Sequence, residues 1–282
     1  MLSISKPMKG CGPGDYYLKL AREDYYLEGG EPQGEWYGNG ADRLGLHGEI
    51  HQEEFRNLLQ GYTPDGKKEL TQNAGEEDRR SGWDLTFSAP KSVSTLWAVS
   101  DQETRHKIQE IQQEAVKSSL DYLERNAGWT RRGKDGCERE RTDLIFTTFE
   151  HSTSRAQDPD LHTHVIAQNI SLRDDGSTGS IDSAPLYQHK MAAGALYRAE
   201  LAQKLERDLG LYISRDKDSF EVLGVSRELC QEWSTRRKEI LVALEERGLS
   251  GAKAASIAAF ETREQRITFR GRNCLRAGKE RV

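Results

Sequence analysis

Three of the seven histidines in this 282-residue chain fall within fourteen positions, at His151, His162 and His164. On an extended strand side chains repeat every two residues, so His162 and His164 leave the backbone on the same side. If the segment ending at His151 pairs with theirs, a third imidazole arrives beside them and the three can grip one cation. Three neutral imidazoles without a cysteine leave coordination positions open and the ion's charge uncompensated. Such a site suits an anionic ligand, and a phosphodiester is the obvious one. A His-x-His pair by itself is common on solvent-facing strands; the third histidine is what argues for a metal. His47, His51, His106 and His189 have no such company and are expected at the surface.

A second group of reactive residues lies near the N-terminus, where "DYYLKLAREDYY" places Tyr16-Tyr17 and Tyr25-Tyr26 within one short polar stretch. Tyrosine is usually a packing residue with a polar tip. As a nucleophile it is poor at its free pKa of about 10, unless it is deprotonated or gives up its proton during attack. At about 100° per residue Tyr16 and Tyr25 sit half a turn apart on one straight helix, so the segment either breaks near Ala21 to Asp24 or turns one pair away. The third element is Asp84, on the polar side of "WDLTFS". It could orient a ligating imidazole or take a proton from a tyrosine, and the sequence leaves both roles open.

The elements that must position these residues are legible in outline. "LSIS" reads as a short strand. In "WDLTFSAPKSVS" Trp83, Leu85 and Phe87 face one way and Asp84, Thr86 and Ser88 the other, with Pro90 ending the strand. "TDLIFTTFEHS" and "LHTHVIAQNISL" are the strongest strands, joined by the polar loop "TSRAQDPD". Ile108, Ile111, Ala115 and Leu120 stripe a helix over 101–125, and a second long helix over 188–208 stops at Gly210. A short helix is expected over 52–60, a hairpin over 211–222, and mainly helix from Ser226 onward. "EWYGNGADRLGLHGEI" reads as a loop, because its glycines lack the third member of a dinucleotide fingerprint. Antiparallel hairpins interleaved with helices point to an α+β fold with one antiparallel sheet and helices on its faces. No phosphate-binding loop of the Walker type occurs.

With 35% hydrophobic and 31% charged residues the chain reads as a globular protein large enough for a sizeable core. No apolar run approaches the roughly 20 residues of a membrane span, and the first residues lack the apolar core of a signal peptide, so a cytoplasmic location without membrane insertion is expected. Cys11, Cys137, Cys230 and Cys274 are far apart and read as reduced, incidental thiols. The net charge of −5 argues mildly against nucleic acid, yet seven Lys/Arg against three acids between Glu261 and Val282, and the cluster Arg131, Arg132, Lys134, Arg139 and Arg141, leave local basic surface.

The paired tyrosines, "YGNGADRLGLHGEI", "DLTFSAPKSVS", "EHSTSR" and "DPDLHTHVIAQN" occur in an order that resembles the MobF-class conjugative relaxases of the HUH endonuclease superfamily. The later "AAFETREQR" is similar to that family's domain-terminal helix, so the resemblance spans nearly the whole chain. It implies a central antiparallel sheet carrying the histidines, with a catalytic core over 1–225 and a helical, DNA-enclosing lobe over 226–282. By the same resemblance Tyr16 is the nucleophile that opens the transfer-origin strand, Tyr25 the residue of a second cleavage or strand exchange, and Tyr17 and Tyr26 their less essential neighbours. His151, His162 and His164 match the metal ligands and Asp84 the acid beside them. The ion implied is magnesium or manganese, with zinc or nickel also suited to imidazole. Thr163 stands where the superfamily pattern has a hydrophobe.

The expected activity is site- and strand-specific nicking and rejoining of DNA through a 5′-phosphotyrosyl bond, initiating conjugative transfer. Lys91 and Arg155 are expected to meet the DNA backbone. Expected partners are single-stranded DNA at an origin of transfer, with the nic site and an adjacent hairpin, relaxosome accessory proteins and a type IV secretion coupling protein. A monomer is expected, as the N-terminal relaxase portion of a longer protein; members of the family it resembles usually continue into a helicase. The rivals are a rolling-circle initiator or transposase of the same superfamily, a DNA-binding module without catalysis, and a metal-dependent hydrolase that uses water.

Overall fold

The structure is a computed structural model and describes residues 1–10, 12, 34–154, 156–216 and 219–246. Tyr16, Tyr17, Tyr25, Tyr26 and Arg155, the helix break near Ala21 and the basic segment from Glu261 all lie outside the described residues.

At the centre is an antiparallel sheet built on β4 (Arg80–Ser88), β7 (Phe146–Thr153) and β8 (Pro159–Gln168). Its spatial order is β1-β4-β8-β7-β3, where β1 is Leu2–Ile4 and β3 is Glu35–Tyr37; β2 (Met8–Lys9) also pairs with β4. The fold is thus the α+β architecture that the alternation of "WDLTFS" and the two long apolar segments demand.

Both faces of this sheet are covered, which is why its central strands are apolar on one side and mixed on the other. On the first face Trp83, Leu85, Phe87, Phe146, Leu161 and Val165 share a core with two long helices, α4 (Gln102–Ala127) and α5 (Ala184–Leu209). Helix α4 starts where the Asp101 carboxylate accepts the Thr104 N–H at 2.8 Å. Pro185 in its first turn starts α5 at Ala184, four residues ahead of the periodic stripe, and Gly210 ends it in a left-handed conformation. On the second face Ile145, Phe149 and Ile166 meet Phe55, Leu58 and Leu59 of α2 (Gln52–Gln60). Those three are one helical face by spacing, and all are fully buried.

At four places the local structure differs from the sequence reading or adds to it. Glu35–Tyr37 is an edge strand and Asn39–Arg43 a one-turn helix, α1, inside the segment read as loop, because Trp36 is buried against Phe55. The residues after Pro90 form α3 (Lys91–Val99), whose Val93 reaches the first core. The strand expected over 161–172 ends at Gln168, where the Asn169 side chain ties Arg80 O and Ile181 N, and resumes as β9 (Ser171–Leu172), paired with β10 (Thr178–Gly179). The basic cluster near Arg131 is a hairpin of β5 (Trp129–Arg132) and β6 (Glu138–Arg141). Its arginines meet acids: Arg131 and Arg139 reach Asp182, and Arg132 reaches Asp175 and Glu140. The hairpin over 211–222 is present as β11 (Ile213–Asp216) and β12 (Ser219–Val222).

The chain divides into two compact units, Met1–Ser154 with Pro159–Ser226, and Arg155–Asp158 with Arg227–Val282. Within the second, α6 (Arg227–Glu232) is followed by α7 (Thr235–Glu245). There the Asp158 carboxylate accepts the Thr235 N–H at 2.8 Å and the Thr235 hydroxyl at 3.0 Å. No helix among the described residues is long and apolar enough to cross a membrane.

Candidate functional site

The register of the three central strands decides where the histidines meet. His151 of β7 is directly opposite His162 of β8, and His164 of β8 is opposite Phe149. On the other side of β8, His162 faces Ser88 and His164 faces Thr86 of β4. Because alternation puts Asp84, Thr86 and Ser88 on the second face of β4, Asp84 lies diagonally across from His164 on that face. The three imidazole rings form a triangle, with centroids 5.4 Å (His151–His162), 5.5 Å (His151–His164) and 5.1 Å (His162–His164) apart.

Hydrogen bonds orient two of these rings. His162 Nδ1 lies 2.7 Å from Asp160 O, and a carbonyl can only accept, so that nitrogen carries the proton. His164 Nδ1 sits 2.9 and 3.0 Å from the two oxygens of Asp84, again the geometry of an N–H donated to a carboxylate. In a neutral ring held this way Nε2 keeps the lone pair, the state a metal ligand needs. Asp84 is itself held: its N–H donates to Ser5 Oγ at 3.0 Å, and the Thr86 hydroxyl lies 3.3 Å from its Oδ1. Burial is the largest influence on His162 and holds its imidazole below the ordinary value, keeping the ring neutral.

The donor set fits a divalent ion. An ion held at about 2.1 Å by one nitrogen of each of three rings would set the ring centroids roughly 5 Å apart, the spacing found. As the side chains stand, no group of three His, Cys, Asp or Glu among the described residues is arranged so that it could hold a metal ion. The spacing of the rings carries more weight than their present aim, because rotation about side-chain torsions re-aims a nitrogen without moving a strand.

Of the expected site residues, the structure brings together His151, His162, His164 and Asp84. Lys91 Nζ donates to Pro159 O at 2.6 Å, at the start of the histidine strand. Thr163 turns to the first face, where it is buried and 3.4 Å from Gln112 Nε2, so its position is served by a polar contact in place of a hydrophobe. His189, expected at the surface, is half-buried and bonded to the Tyr122 hydroxyl at 2.8 Å. Three contributors were not legible beforehand: Ser5, Thr86 and the Asp160 carbonyl. Only Thr86 left a signal, its same-face spacing from Asp84.

Comparison with known proteins gives the site its context. The TrwC relaxase family model matches residues 12–281. A multifunctional conjugation protein TraI from Escherichia coli is 34% identical over 280 residues, which is 94% of this chain and 15% of that protein; TraI of strain K12 is 33% identical with the same coverage. The chain therefore spans 15% of the length of the curated relatives it matches. Among solved structures, the copper-bound conjugative relaxase TrwC in complex with oriT DNA superposes with a TM-score of 0.82 at 31% identity, covering 93% of this chain and 91% of that one. A metal-bound TrwC–oriT complex gives 0.79 at 30% identity with the same coverage. TrwC complexed with a 27-mer comprising the recognition hairpin and the cleavage site gives 0.77 at 29%, covering 93% and 90%. A histidine triangle on the central sheet, the order of the sequence motifs and a family match over almost the full length converge on one conclusion: this chain belongs to the TrwC relaxase family, the MobF-class conjugative relaxases.

Proposed function

We propose that the chain is a relaxase domain that nicks and rejoins one DNA strand at an origin of transfer, starting conjugative transfer of the DNA. The observation that carries this reading is the triangle of three imidazoles, two of them with Nδ1 turned to Asp160 O and Asp84. It is supported by the likeness to TrwC structures solved with oriT DNA and with metal.

His151, His162 and His164 would hold a divalent ion, magnesium or manganese in the cell, although imidazole donors also accept zinc, nickel or copper. When bound, the ion supplies Lewis-acid polarisation of the scissile phosphate. Asp84 keeps His164 in the ligating tautomer and lends it negative charge. The attacking group is the Tyr16 hydroxyl, with Tyr25 reserved for a second transfer and Tyr17 and Tyr26 as their neighbours. The tyrosine oxygen bonds to phosphorus, the bond from phosphorus to the 3′ oxygen breaks, the phenol loses its proton and the departing 3′ oxygen gains one. A 5′-phosphotyrosyl bond and a free 3′ hydroxyl result, and because one ester replaces another, the reverse reaction rejoins the strand.

Single-stranded DNA carrying the nic site and an adjacent hairpin is the substrate, with Arg155 on its backbone. The chain acts as a monomer in the donor-cell cytoplasm, alongside relaxosome accessory proteins and a type IV coupling protein. The test is a denaturing gel of the chain incubated with labelled oriT oligonucleotide and magnesium. A covalent adduct is expected from the wild type, none from Tyr16→Phe, and suppression by chelator. Cleavage that leaves no protein on the product would indicate water as the nucleophile, and an undiminished adduct in Tyr16→Phe would move the attack to another tyrosine.

A further inference from the structure

Strand β4 ends at Ser88, opposite His162, yet its partner β8 begins three residues earlier, at Pro159. The edge of β8 that faces β4 therefore needs hydrogen-bond partners beyond the last strand pair. The first is ordinary, since the Ala89 N–H donates to Leu161 O at 2.9 Å. In an antiparallel ladder the reciprocal bond would run from the Leu161 N–H to the Ala89 carbonyl. Here the Leu161 N–H donates to Ser94 Oγ instead, at 2.9 Å, because the chain turns at Pro90 into α3. Two residues along, Pro159 has no N–H to place, and its carbonyl accepts from Lys91 Nζ at 2.6 Å. Two side chains from the opening turn of α3 thus continue the β4 ladder after the β4 backbone has left it. Their spacing of three residues puts both on one side of the helix.

The other edge of β8 does not hold this stretch in register. On β7 the pairing passes from His151 with His162 to Thr153 with Pro159, so Asp160 and Leu161 together span the place of Ser152. That is a β-bulge, where the ladder is locally broken. The bulge contains the peptide unit that matters to the site. The Asp160 carbonyl, 2.7 Å from His162 Nδ1, and the Leu161 N–H, bonded to Ser94, belong to one planar unit and point opposite ways along it. Ser94 grips one end of that plane and the His162 ring the other. Ser94 and Leu161 are both fully buried, so without the hydroxyl no water replaces the bond and the plane must turn to satisfy its N–H.

We infer that Ser94, assisted by Lys91, is a positioning residue for the imidazole triangle: its hydroxyl fixes the 160–161 peptide plane, and with it the carbonyl to which the His162 ring is tied. The inference rests on the metal-binding reading above and extends it to a buried serine on a helix that supplies no ligand.

The experiment is Mn²⁺ titration calorimetry on the full 282-residue chain without DNA, paired with ¹⁵N detection of the His162 and His164 ring nitrogens in the metal-free protein. Ser94→Ala should weaken Mn²⁺ binding about tenfold, the scale of lost outer-sphere orientation. It should also shift the His162 Nδ1 signal while leaving that of His164, which Asp84 holds independently. A general loosening of the sheet would move both rings alike. Lys91→Met keeps the aliphatic stem and should give the same pattern with a smaller loss, about threefold, and Lys91→Arg, which retains a donor, should return affinity toward the wild type. The inference is overturned if Ser94→Ala keeps wild-type Mn²⁺ affinity, if its His162 signal is unshifted, or if both rings shift equally. If Ser94→Ala does not fold, Ser94→Cys, with a weaker acceptor in nearly the same place, decides by the same readouts. If the wild-type chain itself binds no Mn²⁺, the metal reading fails, and the ring signals alone decide the role of Ser94.

Discussion

The second face of the central sheet is divided within single strands. Toward one end Phe149 and Ile166 are sealed under Phe55, Leu58 and Leu59 of the 52–60 helix; toward the other, His151, His162, His164 and Asp84 occupy the same side of the same sheet outside that apolar cluster. Phe149 and His151 are two residues apart, as are His164 and Ile166. The apolar half fixes register, because a slip of one residue would turn Phe149 and Ile166 out of the core along with every histidine. The polar half then inherits a spacing it did not have to generate. Stability and chemistry are thus assigned to neighbouring stretches of the same β-strands.

That division can be broken from either end. Phe55 is fully buried and edge-on to Phe149 at 5.5 Å, so Phe55→Ala should cost about 3–5 kcal/mol in urea unfolding while leaving Mn²⁺ affinity of the folded protein within about twofold. The reverse pattern is expected of His162→Ala: Mn²⁺ affinity down on the order of a hundredfold, about 2.7 kcal/mol, against a stability change below about 1 kcal/mol. Asp84→Asn keeps the shape but removes the charge that accepts from His164 Nδ1, and calorimetry should show a loss of about tenfold. Smallest is Thr86→Val, which deletes a hydroxyl 3.3 Å from Asp84 Oδ1 and should weaken Mn²⁺ binding by less than about threefold. A large affinity loss in Phe55→Ala, or a large stability loss in His162→Ala, would show that the two halves are not separable.

Much of this was readable from pattern. His162 and His164 share a face because strand periodicity is two, and Trp83/Leu85/Phe87 against Asp84/Thr86/Ser88 indicated which side of β4 would look toward them. What escaped was whatever depended on partners distant in sequence. Glu35–Tyr37 is too short to show alternation and is a strand only because Phe146 to Thr148 offers it an edge. Pro90 marks the end of the strand but not the start of the helix that follows it, Lys91–Val99. Ser5 contributes to the site through its hydroxyl, which accepts the Asp84 N–H, and Asp160 through its carbonyl beside His162; neither a hydroxyl just past an N-terminal strand nor a main-chain oxygen carries a residue-type signal. The roles of Asp84 show the same limit. Its place beside the histidines was legible, whereas the engagement of both its oxygens with His164 depends on side-chain rotamers that strand periodicity does not set.

The central claim is that one ion is held by three imidazoles from two adjacent strands. Loading the chain with one equivalent of Cu²⁺ and recording electron spin-echo envelope modulation counts the coordinated imidazoles directly. The expected spectrum carries the couplings of three histidines and falls to two in His151→Ala; a bound ion that shows no histidine nitrogen, or a count unchanged by that substitution, would contradict the account.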